Sequence, residues 1–184
     1  LIENDLRLAL ERDELCLHFQ PIVDAKTREM TSCETLLRWQ HPTRGLIMPG
    51  QFIEFAEDCG LITRLGDWVI RAAMEAAARL PSNVKVAINV SPLQIHSATL
   101  MTTIFSSIAK NQIRPDQIVL EITESVLMSN TEFTLERLHR LKEMGFCIAL
   151  DDFGTGYSSL SYLSSFPFDK IKIDKCFISD IETN

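Results

Sequence analysis

The 184-residue chain lacks any apolar run near the ~18 residues needed to cross a bilayer, and its start is not a secretory signal. The expectation is no membrane contact by this segment, with room for an anchor elsewhere in a longer parent chain. It also lacks a cluster of Lys or Arg, and its formal net charge is −7. DNA and RNA are therefore poor candidates as partners. No C-x-x-C pair occurs among the five cysteines, at positions 16, 33, 59, 147 and 176. Cys16, Cys33 and Cys147 fall in strand-like segments, where cysteine behaves as a small hydrophobe. Reduced structural thiols are expected, rather than a disulfide or a zinc site, and with them a cytoplasmic location. There is no internal repeat, low-complexity tract or linker-like stretch, so the chain reads as one domain.

What is present is an ordinary globular composition, 46% apolar and 23% charged, arranged as alternating strand-like and helix-like segments. A helix is expected over 3–12. Two strands, 15–23 and 29–39, follow, joined by a turn at Asp24–Arg28; the hairpin makes one of them antiparallel. GQFIEFAEDCG reads as a short helix ending at Gly60. The helix after it, LITRLGDWVIRAAMEAAARL, stops before Pro81 and carries an apolar stripe suited to packing on a sheet. From Val84 onward the pattern is strand–helix: VKVAINV, a helix near 98–111, QIVLEIT, a helix at 131–144, FCIALDD, a short helix near 158–164, and FDKIKID. Repeated strand–helix units imply parallel strands covered by helices.

Such a pattern closes either as an open doubly wound sheet or as a (β/α) barrel. No G-x-G-x-x-G follows a strand, which removes the main signature of the dinucleotide-binding open sheet. The barrel is favoured by where polar residues fall: VKVAIN ends at Asn89, QIVLE at Glu121 and FCIALD at Asp151. In a barrel the carboxyl ends of the strands form the active-site face. A single polar residue at a strand end is most often a helix cap; three in series, with Glu34 and Lys172 on other strands, point to a site.

Side chains alternate faces along a strand. Glu34, Leu36 and Arg38 share one face, Thr35 and Leu37 the other; Lys170, Lys172 and Asp174 lie opposite Ile171 and Ile173; Gln20 shares a face with His18 and Cys16. With the polar members inward, the barrel mouth holds Glu34, Asn89, Glu121, Asp151, Asp152, Arg38 and Lys172. An oxygen-only ligand set suits Mg2+ or Mn2+ better than Zn2+. Two ions bridged by a carboxylate would form a clamp for in-line attack on a phosphodiester. Arg38 could hold a phosphate oxygen, and Lys172 could stabilise developing charge or orient the attacking water.

ETLLRW, NVSP, EITE, DDFGTGYSSL and KIKID, in this order, resemble the motifs of the EAL-domain family of cyclic di-GMP phosphodiesterases, from about Leu15 to the end of the chain. The resemblance implies an α/β fold, a TIM-like (β/α) barrel with one antiparallel strand, and hydrolysis of cyclic di-GMP to linear pGpG with Mg2+ or Mn2+, two ions. By motif, Glu34, Asn89, Glu121 and Asp151 would hold one metal, with Asp151 bridging to a second held also by Asp152. Lys172 would be the catalytic lysine, and Glu124 would steady the DDFGTGYSS loop. Gln20, Leu36, Arg38 and Asp174 would contact the nucleotide or line its pocket.

Two departures from the family pattern stand out. The signature alanine is Thr35 here; parity places it on the helix-facing side of its strand, so activity is expected to survive. The chain also stops at Asn184, with six strands counted where a full barrel takes eight and ~250 residues. The last two strands and a glutamate expected to ligate the second metal are thus missing, leaving two sheet edges. A fragment, elements outside the given sequence, or completion by another chain would each account for this. Residues 1–13 are expected to form a connector helix from an upstream regulatory domain, and 14–184 the barrel domain, with a homodimer as a further expected partnership. A receptor that binds cyclic di-GMP without cleaving it, and a purely structural interaction piece, are the competing readings.

Lesser features carry less. The DFG within Asp152–Gly154 has no H-R-D before it, as a kinase would. Gly154–Gly156 is expected to be a loop at the site. His41, His96 and His139 lack metal-ligand spacing, and Trp39 and Trp68 read as core or pocket-wall aromatics.

Overall fold

The computed structural model describes residues 2–129, 131–154, 166 and 168–177. Helix α1 (Ile2–Ala9) leads into the antiparallel pair β1 (Leu15–Val23) and β2 (Met30–His41). Then come β3 (Gly45–Ile47), α2 (Ile53–Asp58), α3 (Ile62–Ala77), β4 (Lys85–Asn89), α4 (Pro92–His96) and α5 (Thr99–Asn111). β5 (Ile118–Thr123), α6 (Glu124–Ser129), α7 (Thr131–Glu143), β6 (Cys147–Phe153) and β7 (Lys170–Ile173) complete the order. Three-residue 3-10 turns lie at Pro49–Gln51, Pro115–Gln117 and Lys175–Phe177. Among the described residues no helix is long and apolar enough to cross a membrane.

The strands form one sheet in the order β1-β2-β4-β5-β6-β7, with β3 added to β2. Among the described residues only the pairings β1–β2 and β2–β3 are antiparallel; the others are parallel, as the strand–helix alternation requires. β4 and β5 are near-continuous apolar runs because both of their faces are buried. Val86, Ile88, Leu120, Ile122, Ile148 and Leu150 face the helices and share a core with Ile70, Met74 and Ile104. The opposite face carries the small side chains Ala87, Val119 and Ala149.

The sheet is strongly curled. β2 and β7 are four strand spacings apart in the sheet order, about 19 Å if it were flat. Yet Glu34 on β2 and Lys172 on β7 are hydrogen-bonded at 3.1 Å. Helices lie on the convex side and the polar residues converge on the concave side, so the barrel reading holds over the open doubly wound alternative.

α3 follows the apolar stripe: Ile62, Leu65, Ile70, Ala73, Met74 and Ala77 are buried at helical spacing. α1 is not merely peripheral, since Leu6 and Ala9 are buried in a second cluster with Trp39 and Phe52.

Several elements differ from the sequence expectation. β3 was not anticipated: three residues are too few to show a period, and its entry depends on Gly45 at φ 71°. β3 pairs Ile47 with Trp39, and β2 runs two residues further, to His41, than the expected strand. α6 was likewise missed, and α1 ends at Ala9, short of residue 12. The helix expected near 158–164 lies outside the described residues, as does most of the glycine-rich loop.

Candidate metal centre and active site

The strand registers show why residues at different sequence depths meet. Glu34 lies opposite Ala87, so Asn89 sits two residues further along β4. Asn89 lies opposite Glu121, and Glu121 opposite Ala149, so Asp151 is again two residues further along β6. This stagger is what tilted strands in a barrel produce. It brings Glu34, Asn89, Glu121, Asp151 and Lys172 to one height at the carboxyl ends of the strands.

Lys172 is the centre of the cluster. Its ammonium donates to Asp151 Oδ2 at 2.8 Å, Glu121 Oε2 at 2.9 Å and Glu34 Oε2 at 3.1 Å. Asn89 Nδ2 donates to Glu34 Oε1 at 3.0 Å, which fixes the Glu34 carboxylate and leaves the amide oxygen as the metal-capable atom. One oxygen from each of Glu34, Glu121 and Asp151 falls within 4.8 Å of the others. Three carboxylates and one ammonium carry a residual charge of −2 when all are ionised. That balance, with oxygen-only donors, fits a divalent hard cation.

The electrostatics reflect the crowding. The Glu121 side chain is only 3% exposed. Burial pushes its pKa up to about 7, aided by Glu34 and Asp151 and opposed by Lys172. Burial alone would lower the pKa of Lys172, but hydrogen bonds to Asp151 and Glu121 outweigh it and hold the ammonium protonated. Asp152 is also raised, by burial and by the charges of Asp151 and Asp174.

Adjacent residues of a regular strand point to opposite faces, so Asp151 and Asp152 could not both face the site. The β6–β7 register shifts between Leu150 and Phe153, and Asp152 takes φ 52°, in the left-handed region. This bulge takes Asp152 out of the regular alternation of the strand, and the Asp152 amide donates to Asp151 Oδ1 at 2.9 Å. Sequence parity could not have shown the bulge.

The remaining expected residues surround this cluster. Gln20 on β1 lies directly opposite Glu34, and His18 opposite Leu36, so Gln20, Glu34 and Leu36 share the concave face. Arg38 lies two positions beyond Leu36, and its guanidinium donates to the Leu37 carbonyl at 2.8 Å. Asp174 follows β7, and its Oδ1 accepts the Cys176 amide at 2.8 Å. Buried Glu124 accepts the Gly154 amide at 3.3 Å. Thr35 is 3% exposed, and its hydroxyl donates to the Ala87 carbonyl at 2.7 Å. Of the histidines, His41 accepts the backbone amides of Thr43 and Arg44 in the β2–β3 turn.

Beside the cluster lies a largely apolar cavity of about 460 Å³, bounded by Leu36, Ile53, Ile62, Asn89, Gln94 and Glu121. The sequence reading missed this wall. Gly66 of α3 and Gln94 of α4 form it together, because a β-carbon on Gly66 would overlap the Gln94 amide. A glycine inside so apolar a helix was the available signal, since glycine there costs stability unless something approaches closely.

Comparison with known proteins gives a consistent family. The model of the EAL domain matches residues 3–184. An uncharacterized signaling protein of Caulobacter vibrioides is 47% identical over 98% of this chain and 22% of its own length. Cyclic di-GMP phosphodiesterase PdeR of Escherichia coli is 42% identical over 98% of this chain and 28% of its own. The chain thus spans about a quarter of the length of the curated relatives it matches. Among solved structures, the PaMucR phosphodiesterase in complex with c-di-GMP superposes with a TM-score of 0.93 at 41% identity, covering all of this chain and 76% of that one.

Proposed function

The chain belongs to the EAL domain family, and from that premise we propose that it hydrolyses cyclic di-GMP to linear pGpG with divalent metal ions. The observation that carries this reading is the cluster of Glu34, Glu121 and Asp151 around Lys172, with its residual charge of −2. The names of PdeR and of the PaMucR complex support the substrate.

Glu34, Asn89, Glu121 and Asp151 would hold one ion, and Asp151 with Asp152 a second; Mg2+ or Mn2+ fits their oxygens. When bound, such ions supply Lewis acidity, making a bound water acidic and drawing charge from a phosphoryl oxygen. In the hydrolysis a water oxygen bonds to phosphorus, the P–O3′ bond breaks, and the freed 3′ oxygen takes a proton, giving pGpG. Lys172 stays protonated and donates where negative charge develops on the phosphate. Arg38 offers a planar donor to a phosphate oxygen. Gln20, Leu36 and Asp174 hold and orient the nucleotide around the concave face, and Glu124 fixes the backbone that follows Asp152.

A second reading, a receptor that binds cyclic di-GMP without cleaving it, draws on one observation. Among the described residues the metal-capable group is Glu34, Glu121 and Asp151, without Asp152. pGpG release with Mg2+ or Mn2+ separates the two: turnover supports the enzyme, and tight binding without pGpG supports the receptor.

The same reading places the chain in a longer cytoplasmic signalling protein, with residues 1–13 connecting to an upstream regulatory domain and residues 14–184 as the barrel domain. A homodimer in solution is part of the proposal. Size measurement by light scattering tests it.

A further inference from the structure

We propose that Phe177 is a positioning residue for Asp152, acting through Gly154; the inference rests on the metal-dependent reading above. The bulge in β6 puts Asp152 at φ 52° and Gly154 at φ 100°, and the proposed function gives Asp152 a share of the second ion. Left-handed backbone at a non-glycine residue is strained and persists only where its surroundings over-determine it.

Two groups hold Gly154 from separate elements. Glu124, at the start of α6, accepts its amide at 3.3 Å. Phe177, in the turn after β7, lays the edge of its ring on the Gly154 α-carbon. A β-carbon at position 154 would overlap Cε2 and Cζ of that ring and lie 3.3 Å from Cδ2. Glycine is thus required twice, by its φ and by the ring.

Phe177 is 53% exposed, so burial in a core does not account for its placement. Its turn is built by Asp174, whose Oδ1 accepts the Cys176 amide at 2.8 Å and whose carbonyl accepts the Phe177 amide at 3.2 Å. β7 itself carries Lys172. The ring therefore ties the strand that presents the ammonium to the bulge that presents Asp152.

The test compares wild type with Phe177→Ala and Phe177→Leu in the full protein. It measures cyclic di-GMP hydrolysis across substrate concentrations and Mn2+ binding by calorimetry. Phe177→Ala should lose roughly 10- to 100-fold in kcat with KM within about 2-fold, because misplacing a group by ~1 Å has this effect. Its Mn2+ affinity should fall about 10-fold, and Phe177→Leu, which refills the space over Gly154, should recover most of both. An unchanged kcat and Mn2+ isotherm in Phe177→Ala overturns the proposal. A wild type without turnover contradicts the phosphodiesterase reading instead. The Mn2+ isotherms then decide alone, with equal affinities in wild type and Phe177→Ala overturning the positioning role.

Discussion

Lys172 on β7 and Glu34 on β2, 138 residues apart in the chain, meet at 3.1 Å between Nζ and Oε2. They stand at opposite sides of a five-strand arc, and the curl of that arc is what brings them together. The same ammonium reaches Glu121 and Asp151, so one cation neutralises part of a charge set gathered from three other strands.

Removing that ammonium separates charge balance from chemistry. Lys172→Ala should reduce kcat ~10²-fold or more, as for loss of a donor at developing charge, while Mn2+ binding persists. Retention of full turnover would exclude Lys172 from the reaction.

The strand ends were legible in the sequence because apolar runs stopping at Asn89, Glu121 and Asp151 are a local pattern. The curl was legible only indirectly, through that series of polar strand ends; the stagger that puts Glu34, Asn89, Glu121 and Asp151 at one height emerges from the whole sheet and no window of residues displays it. The bulge at Asp152 was not legible, since parity assumes a regular strand. Gly66 against Gln94, and Phe177 against Gly154, are contacts between distant elements; the first shows in the sequence only as a glycine inside a helix, and the second is hidden behind a glycine that the loop explains by itself. β3 and α6 were too short for their periodicity to show.

The raised pKa of Glu121 gives a signed pH dependence. Burial is its first cause, and between the ordinary value of 4.5 and about 7 the folded state holds a proton that the unfolded state releases. Metal-free protein should therefore lose stability as pH rises through this window, and Mn2+ affinity should rise as Glu121 ionises. Thermal melts of the metal-free protein from pH 4.5 to 7.5 check this. The dependence should largely vanish in Glu121→Gln, and a pH-independent wild type would contradict the assignment.

Asp169 joins β6 to β7. Its Oδ2 accepts the Ile148 amide at 2.7 Å, its own amide donates to the Ile148 carbonyl at 2.8 Å, and its other oxygen pairs with Lys142. Burial pushes its pKa up, but Lys142 and the Ile148 amide outweigh burial and the net shift is downward. Its contribution is thus present above the ordinary carboxylate range and lost as pH falls through the lowered value. Asp169→Ala should cost about 1–3 kcal/mol at neutral pH by urea unfolding. An unaltered midpoint would remove Asp169 from this account.

Thr35 replaces the alanine of the family motif, and its hydroxyl binds the Ala87 carbonyl rather than the metal cluster. Thr35→Ala should leave kcat and KM unchanged within about 2-fold and cost ~1 kcal/mol of stability. A large gain or loss of turnover would show that the hydroxyl reaches the reaction.

The central claim is that Glu34, Glu121 and Asp151 hold the metal at which cyclic di-GMP is cleaved. Its most direct test is chromatographic measurement of pGpG release with Mn2+ by wild type and by Asp151→Asn, with Mn2+ binding measured on both. The account predicts Mn2+-dependent pGpG from wild type, abolished by chelation, and neither turnover nor tight Mn2+ binding in a folded Asp151→Asn. Equal turnover by the two proteins, or release of pGpG undiminished by chelation, would contradict it.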